Sequence, residues 1–361
     1  MFFTQFTTPL TGIAIMKKML AAGAVGIVCA GSVQAQSNVV IYGVLDTYAG
    51  YTNAEGTGNV ATVDSGGYQA SRIGLRGAED LGGGVKATFT LEGGIASDTG
   101  AMHDSSRLFN RQAWVGLSSG YGELRFGRQN SSSFLMIARL DTFAGATYGS
   151  FLNNTSAFTP RYDNVIGYIS PVMRGFKLQA YYSLGERSDD SDGLRTMILA
   201  GEYERGPLYL GVSSSRQNTA NGEASITSTF AGGSYDYGQG RLYAGVYRGN
   251  NLGAVAATNI AGAYYTSYSI SGNYRLSDRA TIGAGYGWGE SGTSVARDAR
   301  QISLIGMLDL SRRTLLYTTY AHMMNKDAAN YTFSAAAPIT RNVPTAGGTV
   351  DGLQFGIRHL F

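Results

Sequence analysis

Hydrophobic and polar residues alternate along most of this chain with a period of two, in short runs broken by turn-forming residues. In an extended strand successive side chains point to opposite faces, so each run reads as a β-strand with one apolar and one polar face. Sixteen runs follow this pattern: 38–50, 69–77, 85–94, 109–119, 122–129, 161–170, 175–185, 195–205, 207–216, 226–236, 241–250, 263–275, 279–289, 299–309, 313–324 and 351–361. The last has Leu353, Phe355 and Ile357 on one face and stops on Phe361. A strand crossing an outer membrane toward the periplasm is able to end so, because the ring lands in the aromatic girdle at the interface.

The connections alternate in length. Glu79-Asp-Leu-Gly-Gly-Gly84, Ser119-Gly-Tyr-Gly122, Pro171-Val-Met-Arg-Gly175, Arg205-Gly-Pro207, Tyr237-Gly-Gln-Gly240, Leu276-Ser-Asp278 and Leu310-Ser-Arg312 are tight turns by composition. Between them fall longer polar stretches near 51–68, 95–108, 130–160, 186–194, 217–225, 251–262, 290–298 and 325–350. Short turns on one rim and long loops on the other define a bacterial membrane barrel, and an even strand count puts both chain ends at the periplasmic rim. A soluble sandwich or propeller has no reason to alternate its connections this way. The predicted fold is therefore all-β, a 16-stranded antiparallel transmembrane β-barrel. Tyrosines near the run ends, among them Tyr42, Tyr48, Tyr51, Tyr181, Tyr182, Tyr264, Tyr265, Tyr268, Tyr317 and Tyr320, read as interfacial belts.

Ahead of the first run, Met16-Lys17-Lys18 is followed by an apolar stretch from Met19 to about Ala30 and by Gly31-Ser32-Val33-Gln34-Ala35. That stretch falls short of the roughly 20 residues needed to span a bilayer, and Val33 and Ala35 suit a secretory cleavage site. Residues 1–35 are expected to be an upstream segment and cleaved signal peptide, and 36–361 the barrel. Cys29, the only cysteine, lies within the leader, so the exported part offers no disulfide framework. Without residues 1–35 the formal charge falls from +3 to +1, which is no nucleic-acid signature.

Parity assigns the candidate chemistry. A charge on the lipid face near the midplane costs about 2–4 kcal/mol, so arginines within the runs are expected to face the lumen. Ile73 and Leu75 on the lipid side put Arg72 and Arg76 inside. Val85, Ala87, Phe89 and Leu91 leave Lys86, Thr88, Thr90 and Glu92 inside. Leu124 and Phe126 outward put Arg125 inward, and Arg161 opens the sixth run. Placing Trp114 outward turns Arg111 inward and Gln112 outward. The stretch 130–160 is long for a loop yet rich in apolar residues, so it needs a surface to pack on. Folding into the lumen supplies one and narrows the pore. Its only charges are Arg139 and Asp141, so the acidic side of a constriction falls to Asp141 and Glu92.

At these residues the chain resembles the general porins of Gram-negative outer membranes, in particular the beta-proteobacterial branch. The resemblance is carried by Val40-Ile-Tyr-Gly-Val-Leu-Asp46, Ser71-Arg-Ile-Gly-Leu-Arg-Gly77, Glu79-Asp-Leu-Gly-Gly-Gly84, Arg111-Gln-Ala-Trp-Val-Gly-Leu117, Leu124-Arg-Phe-Gly-Arg-Gln129 and Phe361. It implies a homotrimer of sixteen-stranded barrels in the outer membrane, among its lipid and lipopolysaccharide. It also implies a third extracellular loop folded inward as an eyelet, passing ions and small hydrophilic solutes without a cofactor. The family's arginine ladder falls on Arg72, Arg111 and Arg161, and its acidic partner on Glu92. Relatives often carry several acids on the inward loop, whereas here Asp141 stands nearly alone, so a mild anion preference is expected.

Two other classes remain. A substrate-specific channel, for a sugar or a carboxylate, would want aromatic faces lining the lumen. An outer-membrane barrel enzyme would need a paired nucleophile and base, but His103, His322 and His359 sit far apart in sequence and in no catalytic motif. Asp189-Asp190-Ser191-Asp192 lacks the spaced Gly and distal Glu of a calcium loop, and reads as a solvated extracellular loop suited to divalent ions between lipopolysaccharides.

Overall fold

In the computed structural model, exposure alternates as the sequence does: Leu353, Phe355 and Ile357 are exposed, while Gly352, Gln354 and Gly356 are buried. The described residues are 38–186, 193–220, 222, 224–250, 264–292, 297–335 and 342–361. The leader expected over 1–35, the 251–262 loop and the Asp189–Asp192 cluster lie outside them.

The strands are β1 (Asn38–Ala54), β2 (Gly58–Ser65), β3 (Arg72–Gly82), β4 (Val85–Gly94), β5 (Gln112–Ser119), β6 (Gly122–Asn130), β7 (Arg161–Ile169), β8 (Phe176–Ser183) and β9 (Thr196–Arg205). They continue as β10 (Leu208–Asn218), β11 (Ser225–Asp236), β12 (Gly240–Gly249), β13 (Tyr265–Arg275), β14 (Ala280–Ser291), β15 (Ala299–Asp309), β16 (Thr314–Asn325) and β17 (Thr349–Leu360). From β3 onward each strand pairs antiparallel with the next, and β17 returns to β1 from Val44↔Leu360 to Ala54↔Val350. The other edge of β1 pairs with β2 over Thr47–Ala54 and with β3 over Asn38–Val44. Strands β2 and β3 are thus two halves of one stave, and the seventeen strands make a closed barrel of sixteen staves. Closure removes every edge, the condition for a sheet in lipid.

The distribution of side chains is inside-out relative to a soluble protein. Leucine, isoleucine and valine are exposed on strand after strand, while Ser213, Ser267, Gln301, Thr319 and Gln354 are at most 1% exposed. That inversion is what a bilayer outside and water or polar groups inside require.

The first connection differs from expectation. The stretch 51–68, read as a long loop, is the upper part of β1, a tight turn and β2, followed by a break at 66–71. Asp46 explains why the broken stave is tolerated. Its fully buried carboxylate accepts the backbone N–H groups of Gly67 (3.1 Å), Tyr68 (3.0 Å) and Gln69 (2.7 Å), which have left the ladder. Tyr317 donates to the same carboxylate at 2.7 Å, and Ser71 Oγ accepts from Asp46 N–H at 2.9 Å. One side chain substitutes for a missing strand segment.

The tyrosine belt is also only half of the picture. Tyr51, Tyr182 and Tyr320 are exposed on the outer face, but Tyr48, Tyr181, Tyr265 and Tyr317 are buried on the inner one. Tyr48 meets Tyr148 edge-on at 5.8 Å between centroids, and Phe333, from the last long connection, stacks on Tyr148 at 5.3 Å.

Replacing Asp46 with alanine strands the buried Gly67 N–H, the half-buried N–H groups of Tyr68 and Gln69 and the Tyr317 hydroxyl, each costing up to about 1–3 kcal/mol where water cannot reach. In urea titrations in detergent, the Asp46→Ala barrel is expected to lose at least about 3 kcal/mol of stability, with Tyr317→Phe closer to about 1 kcal/mol.

Candidate functional site

The segment joining β6 to β7 carries two short helices, α1 (Ser132–Ile137) and α2 (Phe151–Thr155), capped by Ser131 and Ser150. Its polar groups bond to side chains on the buried faces of distant strands. Thr142 N–H donates to Ser271 (3.1 Å), and Tyr148 N–H to Gln354 (2.8 Å). Gln301 donates to the carbonyls of Tyr148 and Gly149, at 3.0 and 2.9 Å. Its apolar groups have sockets. Met136, Ile137, Leu140 and Leu152 cluster with Tyr209, Phe230 and Tyr247. A Cβ on Gly287 would fall 2.2 Å from Phe151, and one on Gly285 2.6 Å from Phe143. These glycines alternate along β14 in Gly283-Ala-Gly-Tyr-Gly-Trp-Gly289, a period-two signal for a stripe without side chains that the sequence reading did not use.

Arg139 is held against β9 and β10. It lies 2.7 Å from Glu204 and 3.5 Å from Glu202, with its guanidinium 3.7 Å over the Tyr209 ring. Asp141, expected to face the arginines, is 2% exposed and accepts from Phe143 N–H and Gly145 N–H (both 2.9 Å) and from the Ser150 hydroxyl. Burial pushes its carboxyl above the usual range, against those hydrogen bonds. Asp141 therefore organises the segment's own turn, and both of the segment's charges are spoken for locally.

Across from this segment stands a basic wall. Glu92 on β4 is 4% exposed and sits between two guanidiniums. Arg111 Nε donates to Glu92 Oε1 at 2.7 Å, Arg72 Nε lies 3.3 Å from Oε2, and Tyr42 donates to Oε2 at 2.8 Å. The Arg72 contact is Coulombic only, since its Nε makes no hydrogen bond there. Arg161 donates to Asn130 Oδ1 at 3.0 Å and lies 4.9 Å over the Phe134 ring. Among the described residues it has no carboxylate within 4 Å. Arg72, Arg76, Arg111 and Glu92 line one cavity of about 410 Å³ together with Asn130, Phe134 and Ala144 to Ala146 of the inserted segment. His103, near Gly94, is held below the usual imidazole range by burial and then by Arg111.

Two parity assignments need correction. Trp114 is 8% exposed and faces inward with Gln112 and Gly116, while Val115 and Leu117 face out. Arg111 nevertheless points in because β5 begins only at Gln112, leaving Arg111 free of the strand's alternation. Arg125 faces inward as expected but belongs elsewhere: it pairs with Glu123 at 2.7 Å and lies 4.1 Å over the Trp114 ring. Tyr42, which the sequence pattern assigns to a belt, completes the Glu92 cluster instead.

A closed, inside-out, sixteen-stave barrel with a charged interior cavity defines an outer-membrane channel protein. A profile of the Gram-negative porin family matches residues 20–328, and the chain belongs to that family. Over 96% of its length it is 32% identical to outer membrane porin protein 32 of Delftia acidovorans, covering that whole protein. It is 34% identical to an outer membrane porin protein of Bordetella pertussis over 62% of this chain and 66% of that one. A solved anion-selective porin from Comamonas acidovorans superposes with a TM-score of 0.79 at 29% identity, over 90% of this chain and all of that one.

Removing the carboxylate between Arg72 and Arg111 leaves buried charge unmatched. Glu92→Gln is expected to lower stability by about 3 kcal/mol in urea titrations, with Glu92→Gln/Arg111→Gln recovering part of the loss.

Proposed function

We propose that this outer-membrane channel prefers anions, and that Arg72, Arg111 and Arg161 form the selective wall of a constriction closed on the other side by the 130–160 loop. One observation carries the reading: two guanidiniums, Arg72 and Arg111, share the single carboxylate Glu92, and Arg161 has no carboxylate within 4 Å among the described residues. Arg139 and Asp141 do not offset the imbalance, because each is satisfied within the loop or against the wall behind it. A surplus of fixed positive charge in a narrow, low-dielectric passage raises the local anion concentration and opposes cations. The solved anion-selective porin of Comamonas acidovorans supports the same sign. Arg125, neutralised by Glu123, shapes the wall below without adding net charge.

The passage reads as general, for ions and small hydrophilic solutes, since Tyr48, Tyr148 and Tyr317 are buried under the loops rather than offered to a sugar. No catalytic role is assigned: His322 is engaged with Asp351 and His359 with Thr314. The mature barrel, 36–361, is taken to assemble as a homotrimer, on family likeness.

In planar bilayers across a KCl gradient, the mature protein is expected to give conductance steps in threes and a reversal potential of anion sign. Arg161→Gln, and separately Arg72→Gln/Arg111→Gln, should each lower the anion-to-cation permeability ratio by a factor of about 2–5, as loss of a charge near the path implies. Cation sign in the wild type, or a ratio indifferent to all three substitutions, rejects the reading.

A further inference from the structure

The arginines of the wall are not the only ones facing the interior. A second cavity of about 310 Å³ opens where β11 to β17 meet their short turns, toward the periplasmic rim. Arg241, Arg275 and Arg358 line it with Asp236, Asp309 and Tyr68. Three guanidiniums again outnumber the carboxylates. Arg241 is partly used, lying 3.3 Å from Asp236. Arg275 and Arg358 have no carboxylate within 4 Å among the described residues, and Arg358 Nε is buried without a hydrogen-bond partner.

Tyr68 connects the two cavities, since it also lines the one containing Arg72, Arg111 and Glu92. It is fixed in place: its N–H donates to Asp46, and its ring lies 5.6 Å from the Arg358 guanidinium and 5.6 Å from the Tyr317 ring. The broken stave at 66–71 thus sets an aromatic wall between an upper and a lower arginine group. Asn273 ties the lower cavity to the loop above, donating to Thr142 Oγ1 at 3.0 Å.

We infer that the lower cavity is a second anion subsite, on the periplasmic side of the constriction, in which Arg275 and Arg358 hold a small carboxylate or oxyanion leaving the upper wall. Oxyanions suit guanidinium forks, and the Arg275 and Arg358 guanidiniums that line the cavity have no carboxylate within 4 Å among the described residues to occupy them instead. Two moderate sites in series speed transit, because each attracts an ion yet binds it weakly enough to release it to the next. The inference rests on the anion-selective reading of the upper wall, and its test separates the two.

The probe is sulfate, added to one side at a time of oriented wild-type channels in a bilayer at constant ionic strength, with block of chloride current as readout. Arg275→Gln/Arg358→Gln is expected to weaken block from the periplasmic side at least threefold and leave block from the extracellular side unchanged. Arg275→Lys/Arg358→Lys, which keeps the charge, should restore much of it and shows that the substituted barrel still folds. Unchanged periplasmic block overturns the subsite, and so does equal weakening from both sides, which marks a diffuse field. Reversal potentials on the same membranes read the upper wall separately: cation sign in the wild type rejects the parent reading, while sided block still reports on Arg275 and Arg358.

Discussion

Hydrocarbon offers backbone amides no partner, so everything in this protein follows from the need to pair each of them within the sheet. Pairing of β1 with β17 meets that need by closing the sheet on itself. Where the ladder fails, at 66–71, the Asp46 carboxylate takes the orphaned N–H groups instead. The same break brings Tyr68 inward, so a local repair of backbone hydrogen bonding also shapes the passage.

Closure divides the side chains into two populations with opposite solvents. Outside, leucine, isoleucine, valine and aromatic residues meet lipid. Inside, the wall is polar, and the segment between β6 and β7 packs against its buried side chains. That segment is held by hydrogen bonds to Ser271, Gln301 and Gln354, by glycine sockets on β14, and by Arg139 against Glu202 and Glu204. Phe134, Ile137 and Ala144 to Ala146 of the segment line the same cavity as Arg72, Arg76, Arg111 and Glu92.

Charge within this interior is organised by neutralisation. Arg125 with Glu123, Arg139 with Glu204 and Arg241 with Asp236 are near-balanced pairs. The cavity-side arginines left without a full partner are Arg76, Arg161 and the half-shared Arg72 above, and Arg275 and Arg358 below, where Asp309 is the one carboxylate also without an ion pair among the described residues. What is fixed and unbalanced acts on a passing ion, and here that remainder is positive.

The alternation of side chains, the turn chemistry and the alternation of connection lengths were enough to specify an antiparallel barrel in a membrane, because strand parity and lipid exposure are local properties of the chain. They also put Arg72, Arg76 and Glu92 on one face of β3 and β4, and in the structure these side chains line one cavity, since both strands run without interruption through those residues. Parity failed at Trp114 and Gln112, where the strand starts one residue after Arg111 and no residue type announces the start. The belt reading of tyrosines near the run ends failed for Tyr42, Tyr48 and Tyr317, because tyrosine suits a lipid interface and a buried hydrogen bond equally well. Asp141 looked like a pore charge because sequence counts charges without showing what they touch. Only the tertiary structure brings Asp46 to the 66–71 break and Tyr68 to Arg358, since these contacts join residues far apart along the chain, which no local pattern encodes, while the Asp141–Ser150 bond depends on how the 130–160 segment folds on itself.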